Sequence, residues 1–261
     1  MLLRQTNSHD VCDLLRCKPG TFNDVEHVLL VGVCGGVPHY TDFYSHTRLG
    51  DLVISAPNGR GQVFVYCEKV TEDAAHGRLQ YSLKSWTPGS QLLLDTARAL
   101  VDQAGADGKY LPWEEYAAAG AQLLSDQEVT FDRPSVDTDR LFMNVGGDDM
   151  IEVAHPPVPP DAPPLRPGCP TVRFGALASG KPIAMGDQMR LEFAARHQCI
   201  GVDTEFDQVL ESIVGNRQDS FLFVRGVADY LDGSKNAEWQ PYAALLAAAF
   251  TKVLLEQLPA N

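Results

Sequence analysis

The chain has 261 residues, of which 44% are apolar and 8% aromatic, so it can bury a sizeable core and is not a disordered chain. Its 34 acidic and 21 basic residues give a formal charge of −13, which disfavours binding to nucleic acids and to anionic membranes. No apolar stretch approaches the roughly 20 residues of a membrane span, and the amino terminus has no secretory signal. The six cysteines are scattered without metal-ligand spacing. We therefore expect a cytoplasmic protein with free thiols and no metal or cofactor, acting on a small ligand.

The first half of the chain alternates strand-like and helix-like segments. Residues 25–33 are a nearly continuous run of β-branched residues and leucine, which is typical of a strand buried on both faces. Residues 51–55 and 62–70 have strand composition as well. Thr87 and Pro88 then open a predicted helix that continues to about residue 104, with leucine, valine and alanine on one side.

A Pro-rich segment interrupts this alternation. Between His155 and Pro170 lie eight of the chain's 17 prolines, so the segment can be neither a helix nor a central strand. It is either an interdomain linker or a long surface loop. We favour a surface loop at 155–170, because the strand-like segments on both sides of it belong to one predicted sheet. The chain, 1–261, is accordingly predicted to be a single domain.

The second half continues the alternation. Residues 174–179 and 221–227 are two more predicted buried strands. Asp187 is predicted to cap a helix that runs to about residue 197, and residues 205–214 carry apolar side chains on one face. Residues 238–258 form a long predicted helix rich in alanine and leucine. Strands that alternate with helices predict an α/β fold with a mostly parallel sheet.

Three ends of predicted strands carry unusual residues, and these ends are the candidate site. They are residues 32–38, 179–184 and 225–230. In open α/β sheets, ligands bind where the strands end and the loops begin. We therefore expect these three segments to meet around a ligand.

Two carboxylates follow predicted strands at positions that suit glycosidic chemistry. Asp229 comes at the end of R-G-V-A-D, where desolvation in a cleft can raise its pKa so that it holds a proton near neutral pH. Such an acid can protonate a leaving base. Glu205, in G-V-D-T-E-F, lies between a strand and a helix and can accept two hydrogen bonds from the diol of a ribose. From the residues alone, a solvated loop acid at position 229 and a first-turn helix acid at position 205 remain open alternatives.

Glycines surround a cysteine at the end of the first strand. Gly32, Cys34, Gly35 and Gly36 predict a tight turn through which the backbone can approach a ligand closely. The pattern is neither a dinucleotide-binding G-x-G-x-x-G nor a P-loop. A thiol nucleophile is one interpretation of Cys34. Because no histidine is tied to it by sequence, we favour a small buried thiol.

Five segments follow one another in an order that resembles the nucleoside phosphorylase/nucleosidase superfamily. They are V-L-L-V-G-V-C-G-G-V-P (28–38), H-T-R-L-G-D-L-V-I-S (46–55), F-G-A-L-A-S-G-K-P-I (174–183), V-D-T-E (202–205) and V-R-G-V-A-D-Y (224–230). With the closing segment K-N-A-E-W-Q-P-Y-A-A-L-L-A-A-A-F (235–250), the resemblance covers the chain from about residue 25 and is strongest to the eukaryotic branch. It implies a phosphorylase/hydrolase-like three-layer sandwich, in which helices flank a central, mixed and mostly parallel sheet. It also implies a homo-oligomer.

The resemblance implies roles for individual residues. Asp229 would be the general acid that protonates the base, and Glu205 would hold the ribose diol with Asp203 as its companion acid. Ile183 and Ala184 would recognise the base through their main chain. The positions that would line the base and the ribose are Cys34, Gly35, Asp203, Thr204, Ile183, Ala184 and Arg225.

Two departures from the family pattern matter for the reaction. Phosphorylases of the superfamily commonly carry a phosphate-binding arginine at the position of Leu30, and a leucine cannot pair with phosphate, so hydrolysis by water is favoured. The family also begins with a strand and a glycine-rich turn that supply the nucleophile side of the site. The first 24 residues here resemble the helix that follows that turn. We therefore expect a shortened N-terminal strand region and part of a sheet edge without a partner.

These observations favour a purine nucleosidase that hydrolyses the N-glycosidic bond of a purine nucleoside or nucleotide. Two alternatives remain. One is a nucleoside phosphorylase that uses phosphate, and the other is a non-catalytic nucleoside-binding or scaffold domain that lacks the N-terminal part of the site. A nucleotide would need basic residues at the mouth of the pocket, and the candidates are Arg48, Arg60, Lys181 and Arg190.

Overall fold

The computed structural model describes residues 25–73, 78–107, 111–146, 149–160, 162, 170–184, 186–203, 206–215, 220–230 and 237–259. Its strands are β1 (Val28–Gly36), β2 (Leu52–Ser55), β3 (Phe64–Asp73), β4 (Arg78–Trp86), β5 (Leu141–Gly146), β6 (Asp149–Val153), β7 (Val172–Ser179), β8 (Cys199–Val202) and β9 (Phe221–Asp229). Its helices are α1 (Leu92–Asp107), α2 (Pro112–Leu123), α3 (Lys181–Ala184), α4 (Asp187–His197), α5 (Asp207–Gly215) and α6 (Trp239–Gln257), with a short 3-10 helix at Val136–Thr138.

The main sheet closes on itself. Its strand order is β2-β9-β1-β8-β7-β3-β4, and β2 pairs with β7 as well as with β9. Strands β2, β9, β1, β8 and β7 therefore form a ring, from which β3 and β4 extend. The pairs β1–β9, β2–β7, β3–β7 and β7–β8 are parallel, whereas β1–β8, β2–β9 and β3–β4 are antiparallel.

The α/β class and the mixed sheet agree with the prediction, but the strand pairing departs from the predicted three-layer sandwich. Strand twist accumulates across a sheet, and a short strand can then bridge its two edges. Here β2 is that strand, because its four residues are buried and hydrogen-bond to strands on both sides. The sheet is a partly closed barrel for this reason.

The apolar centre of the fold lies between β9 and the long helix α6. Strand β9 is buried from Phe221 to Ala228, because β1 and β2 flank it and α6 packs on its face. Phe223 stacks on Phe64 with the ring centroids 5.0 Å apart. From α6, Phe250 is fully buried. Since burial of one such side chain contributes roughly 1.5–3 kcal/mol, this core fixes the strands whose ends carry the candidate site.

Several predicted boundaries shift for local reasons. The helix predicted from Thr87 begins at Leu92, whose N–H donates to the Ser90 hydroxyl (3.3 Å). Asp187 is the first residue of α4 and not its cap, since the extended Gly186 occupies the cap position. Strand β4, helix α2 and the hairpin formed by β5 and β6 were not predicted. The described part of the Pro-rich segment, residues 155–160, 162 and 170, contains neither helix nor strand, as predicted.

Strand β1 is paired unequally on its two sides by the strands that the structure describes. Strand β1 pairs with β9 along its length, whereas β8 reaches only Gly35 and Gly36. The N–H of Val28 donates to Ser220 of the β9 side (2.9 Å). Because successive residues alternate in a ladder, the backbone groups of Leu29 and Val31 point away from β9. No strand of the described part of the chain pairs with them, and the predicted unpaired sheet edge stays a prediction.

None of the helices in the described ranges combines the length and the apolar character that crossing a membrane requires.

Candidate active site

The ends of four strands meet at one end of the barrel. Gly35 of β1 lies beside Asp229 of β9 and also beside Val202 of β8. The N–H of Asp203, the residue after β8, donates to the carbonyl of Ala178 in β7 (2.8 Å). An irregularity between Cys34 and Gly35 lets β1 reach both neighbours. The three predicted strand ends are therefore brought together.

A buried ion pair lies beneath this meeting point. Arg225 Nε donates to Asp203 Oδ2 (2.6 Å), and the side chains are 4% and 1% exposed. The guanidinium lies over the rings of Phe206 (4.7 Å) and Phe223 (5.3 Å). A Cβ at Gly32 would lie 2.6 Å from Arg225 Nη1, so the glycine leaves room for the guanidinium. Arg225 thus fixes the position of Asp203, and its Nη2 has no hydrogen-bond partner in the described part of the chain.

Cys34 is buried beside the ion pair and behaves as a neutral thiol. Burial is the largest cause that raises the pKa of this thiol well above its usual range. The negative charges of Asp203 and Asp229 raise it further, and Arg225 opposes them. A protonated thiol is a poor nucleophile. The geometry therefore agrees with the predicted small buried thiol and argues against a catalytic cysteine.

Asp229 is the half-buried last residue of β9. Its carboxylate is close enough to the Cys34 thiol to affect that group's pKa. Beyond it, Tyr230 is 3% exposed and turns its hydroxyl into a separate polar cluster. Asp229 and the Asp203–Arg225 pair therefore both lie close to Cys34, and the residue after Asp229 belongs to that second cluster.

The short helix α3 contains the predicted base-recognition residues. Ile183 is fully buried, and Ala184 is exposed. Their N–H groups both donate to the carbonyl of Gly180 (3.2 Å each), and the carbonyl of Ala184 accepts from Arg190 Nη1 (3.3 Å). A base that bound to these N–H groups would have to replace bonds already made within the turn. Base recognition by α3 therefore stays a prediction.

Two predicted ribose residues, Thr204 and Glu205, lie outside the described residues, so the proposed contact with the ribose diol also stays a prediction.

The basic residues proposed for a nucleotide are spread over different places. Arg48 is held by the buried carboxylate of Asp139. Arg60 lies near His197 (3.5 Å), at the amino end of β8, whereas Asp203 follows the carboxyl end of that strand. These two arginines therefore do not form one phosphate site.

Sequence reasoning missed the second polar cluster, which consists of His46, Arg48, Asp139, His155 and Tyr230. Tyr230 Oη donates to Asp139 Oδ1 (2.6 Å), while Arg48 Nε donates to Asp139 Oδ2 (2.8 Å). His46 Nε2 and His155 Nδ1 are 2.9 Å apart. The motif H-T-R-L-G-D contains two of the members, but nothing near Asp139 in the sequence indicates that it joins them.

Other places in the described part of the chain are poorer candidates for a functional site. A hollow of about 390 Å³ lies beside the end of α2, lined by residues from Ala121 to Asp132, and none of the clustered residues above belongs to it. No group of three or more His, Cys, Asp or Glu side chains in the described ranges is arranged to hold a metal ion. The strand ends around Asp229 are the better candidate, because a buried ion pair and the ends of several strands meet there.

The chain matches no family model. A nucleotide-binding leucine-rich repeat (NLR)-like protein of Hyaloscypha variabilis is 27% identical over 240 residues, which are 90% of this chain. The chain spans only 22% of the length of that relative.

Among solved structures, futalosine hydrolase of Helicobacter pylori is 13% identical with a TM-score of 0.50, over 96% of this chain and 76% of that one. A 5'-methylthioadenosine/S-adenosylhomocysteine nucleosidase of Neisseria meningitidis, in complex with methylthio-immucillin-A, is 11% identical with a TM-score of 0.49, over 96% and 76%. Both belong to the nucleoside phosphorylase/nucleosidase superfamily. The chain shares its fold with the futalosine hydrolase.

Proposed function

We propose that this chain is a purine nucleosidase, which hydrolyses the N-glycosidic bond of a purine nucleoside or nucleotide. One observation carries the proposal. Asp229 lies level with Gly35 at the meeting point of the strand ends, beside the buried pair of Asp203 and Arg225. A carboxyl group at a glycine-lined strand end, next to further buried charge, is suited to proton transfer at the base of a nucleoside.

The proposed reaction needs a proton donor because a purine anion is a poor leaving group. Asp229, as a neutral acid, gives its proton to N7 of the purine while the bond between N9 and C1′ breaks. Water adds to C1′ of the resulting oxocarbenium-like sugar and loses a proton to solvent or to the Asp229 carboxylate. The products are the free base and ribose. Glu205 is assigned to the 2′ and 3′ hydroxyls by the family resemblance alone.

The strand backbone has a supporting role in this proposal. Cys34 and Gly35 are placed beside the base and the sugar, where a neutral thiol and a residue without a side chain leave room for the ligand. The Asp203–Arg225 pair ties the residue that follows β8 to β9 across the intervening strand β1. These two strands carry Asp203 and Asp229, so the pair sets the distance between the two sides of the proposed pocket.

Hydrolysis is favoured over phosphorolysis. Leu30 stands where phosphorylases of the superfamily commonly carry a phosphate-binding arginine, and it is 6% exposed within the apolar core. A buried leucine offers no hydrogen-bond donor to phosphate. The fold is shared with futalosine hydrolase, which is a hydrolase by name.

The test is incubation of the full chain with a panel of purine nucleosides and nucleotides, with and without phosphate, followed by chromatography of the products. We expect release of base with free ribose, independent of phosphate. Asp229→Asn should lower kcat/KM by roughly 100-fold or more, the usual contribution of a general acid. Asp95→Asn, which changes an exposed carboxylate in the first turn of α1, should leave the rate unchanged.

Each other outcome has a definite meaning. Ribose-1-phosphate that appears only with phosphate would show phosphorolysis. Tight binding of a nucleoside with no base released over long incubation would show a binding domain. Full turnover by Asp229→Asn would refute the assigned proton donor.

A further inference from the structure

The carboxylate of Asp139 ties together parts of the chain that are distant in sequence. Asp139 follows the 3-10 helix and is 8% exposed. Its Oδ1 accepts the hydroxyl proton of Tyr230 (2.6 Å), and its Oδ2 accepts from Arg48 through Nε (2.8 Å) and Nη2 (2.7 Å). Arg48 precedes β2, and Tyr230 directly follows β9. One buried carboxylate thus joins the start of one barrel strand to the end of another.

Tyr230 is held at three places. Its hydroxyl donates to Asp139 and accepts the N–H of Leu49 (3.2 Å). Its ring stacks on His46, with a centroid separation of 5.9 Å and an interplanar angle of 22°. The ring therefore cannot turn without breaking a charge-assisted hydrogen bond inside the protein. Tyr230 is as firmly fixed as a core residue although it ends in a polar group.

The two histidines link the cluster through a chain of hydrogen bonds that all point the same way. The N–H of His39 donates to His46 Nδ1 (3.1 Å), so His46 carries its proton on Nε2. It then donates to His155 Nδ1 (2.9 Å). His155 Nε2 in turn donates to the main-chain carbonyl of Asp139 (2.8 Å). The chain of donors runs from a backbone N–H to a backbone C=O, and these hydrogen bonds give each imidazole one tautomer.

Fixing Tyr230 restricts its neighbour Asp229. Tyr230 directly follows Asp229, the last residue of β9, so the backbone of Asp229 is held on one side by the strand and on the other by the fixed Tyr230. The hydroxyl of Tyr230 is anchored to the N–H of Leu49 and to the carboxylate of Asp139, which restricts rotation of the peptide that joins Asp229 to Tyr230. Loss of the Tyr230 hydroxyl would therefore loosen the backbone that carries the Asp229 carboxyl.

We propose that Asp139 and Tyr230 are positioning residues, which orient the Asp229 carboxyl for proton transfer to the leaving base. This inference rests on the proposed nucleosidase function and adds residues that the family resemblance does not assign. Neither residue touches the substrate in this proposal. A general acid displaced by about 1 Å loses on the order of 100-fold in rate, so loss of the anchor should lower turnover with little change in substrate binding.

The decisive variant is Tyr230→Phe, which keeps the ring and removes only the hydroxyl. We expect kcat for a purine nucleoside to fall roughly 10- to 100-fold, with KM changed less than about threefold. Asp139→Asn should act in the same direction, because it removes the charge that holds both Tyr230 and Arg48. The matched control is Tyr116→Phe, since the Tyr116 hydroxyl also donates to a carboxylate, that of Glu256 (3.1 Å), but on the surface far from the site. That control should keep the full rate.

A second substrate separates positioning from general structural damage. The phenolate of 4-nitrophenyl β-D-ribofuranoside leaves without protonation, so its hydrolysis does not need the proton of Asp229. Tyr230→Phe should therefore slow release of the purine far more than release of nitrophenolate. The ratio of the two rates is independent of the fraction of protein that is folded. Equal losses on both substrates, or no loss on either, would overturn the inference.

The pH profile of kcat on the nucleoside is an independent measure. The basic limb reports the loss of the proton from the general acid in the enzyme–substrate complex. A misdirected acid interacts less well with N7, so this limb should move in Tyr230→Phe and stay in place in Tyr116→Phe. An unmoved limb in Tyr230→Phe would contradict the inference. The proposed function fails separately, if Asp229→Asn retains full turnover while these variants are measured beside it.

Discussion

Two buried polar clusters near the end of β9 are built in opposite ways. In one of them, Asp203 and Arg225 form an ion pair packed among aromatic rings, and one guanidinium nitrogen has no hydrogen-bond partner in the described part of the chain. In the other, Asp139 and Tyr230 belong to a connected network that begins and ends on backbone groups. The stability of the ion pair depends on both residues being present. The stability of the network depends on the protonation state of its histidines.

This difference separates two kinds of sensitivity. A lone buried charge is costly because little solvent replaces its missing partner. A network of neutral imidazoles tolerates the loss of one bond better, but it has no place for an extra proton. Substitution should therefore damage the first cluster most, and acid should damage the second.

The largest effect is expected from Asp203→Ala, which leaves the Arg225 charge buried without its partner. Breaking a buried pair on one side costs about 3–5 kcal/mol, so the urea midpoint should fall strongly at a constant m-value. Replacing both members, with Asp203→Leu and Arg225→Met together, should cost less than the single change. A single variant within about 1 kcal/mol of wild type would show that the pair is not buried as described.

A smaller loss is expected from Tyr230→Phe. A hydrogen bond to a charged group contributes about 1.5–3 kcal/mol, and Asp139 keeps its bonds to Arg48 when the Tyr230 hydroxyl is removed. The free energy of unfolding should therefore fall by an amount near the lower end of that range. Tyr116→Phe, whose hydroxyl bonds to an exposed carboxylate, should change it by less than about 0.5 kcal/mol. If both variants lose the same free energy of unfolding, then the buried hydrogen bond contributes no more than the surface one.

The most specific effect is a dependence on pH. Burial lowers the pKa of His46 from 6.5 to about 3, and the charges of His155, Arg48, Arg173 and His39 add to that shift. Asp139 and Asp51 are the carboxylates in contact with the arginines of this group.

The sign follows from proton binding. Between these two pKa values the unfolded chain binds a proton at position 46 that the folded protein does not, so stability falls as the pH drops below 6.5. From pH 7 to pH 5 this residue alone should remove about 2 kcal/mol. Denaturant titrations at a series of pH values would measure the slope, and His46→Asn, which cannot titrate, should flatten it. If stability still falls with pH just as steeply in that variant, then groups other than His46 cause the loss of stability in acid.

The sequence predicted the strands that make the site better than it predicted the sheet they form. The apolar runs at β1 and β9 are long, and glycines or polar residues end them, so their ends could be recognised. The double pairing of β2 could not be predicted, because a four-residue strand carries no sign of having partners on both sides. Strand β4 did carry a signal, since Leu79, Tyr81 and Leu83 alternate with polar residues.

The candidate site divides in the same way. The family resemblance led to Asp203, Arg225 and Asp229, which share short motifs with their neighbours in the chain. Asp139 and His155 were missed because their partners, Tyr230 and His46, are far away in sequence and only the folded structure brings them together. Arg48 was a candidate for binding phosphate, but in the structure it forms an ion pair with Asp139.

The closed ring also governs how the chain can fold. Leu52 pairs with Val172 in β7 and with Gly226 in β9, so the barrel joins the first quarter of the chain to its last. Pairings between distant segments form slowly, because the entropy of closing long loops is lost before the contacts are gained. The ring cannot close during synthesis until β9 has emerged, and until then the apolar strands β1 and β2 stay exposed to aggregation or to chaperones.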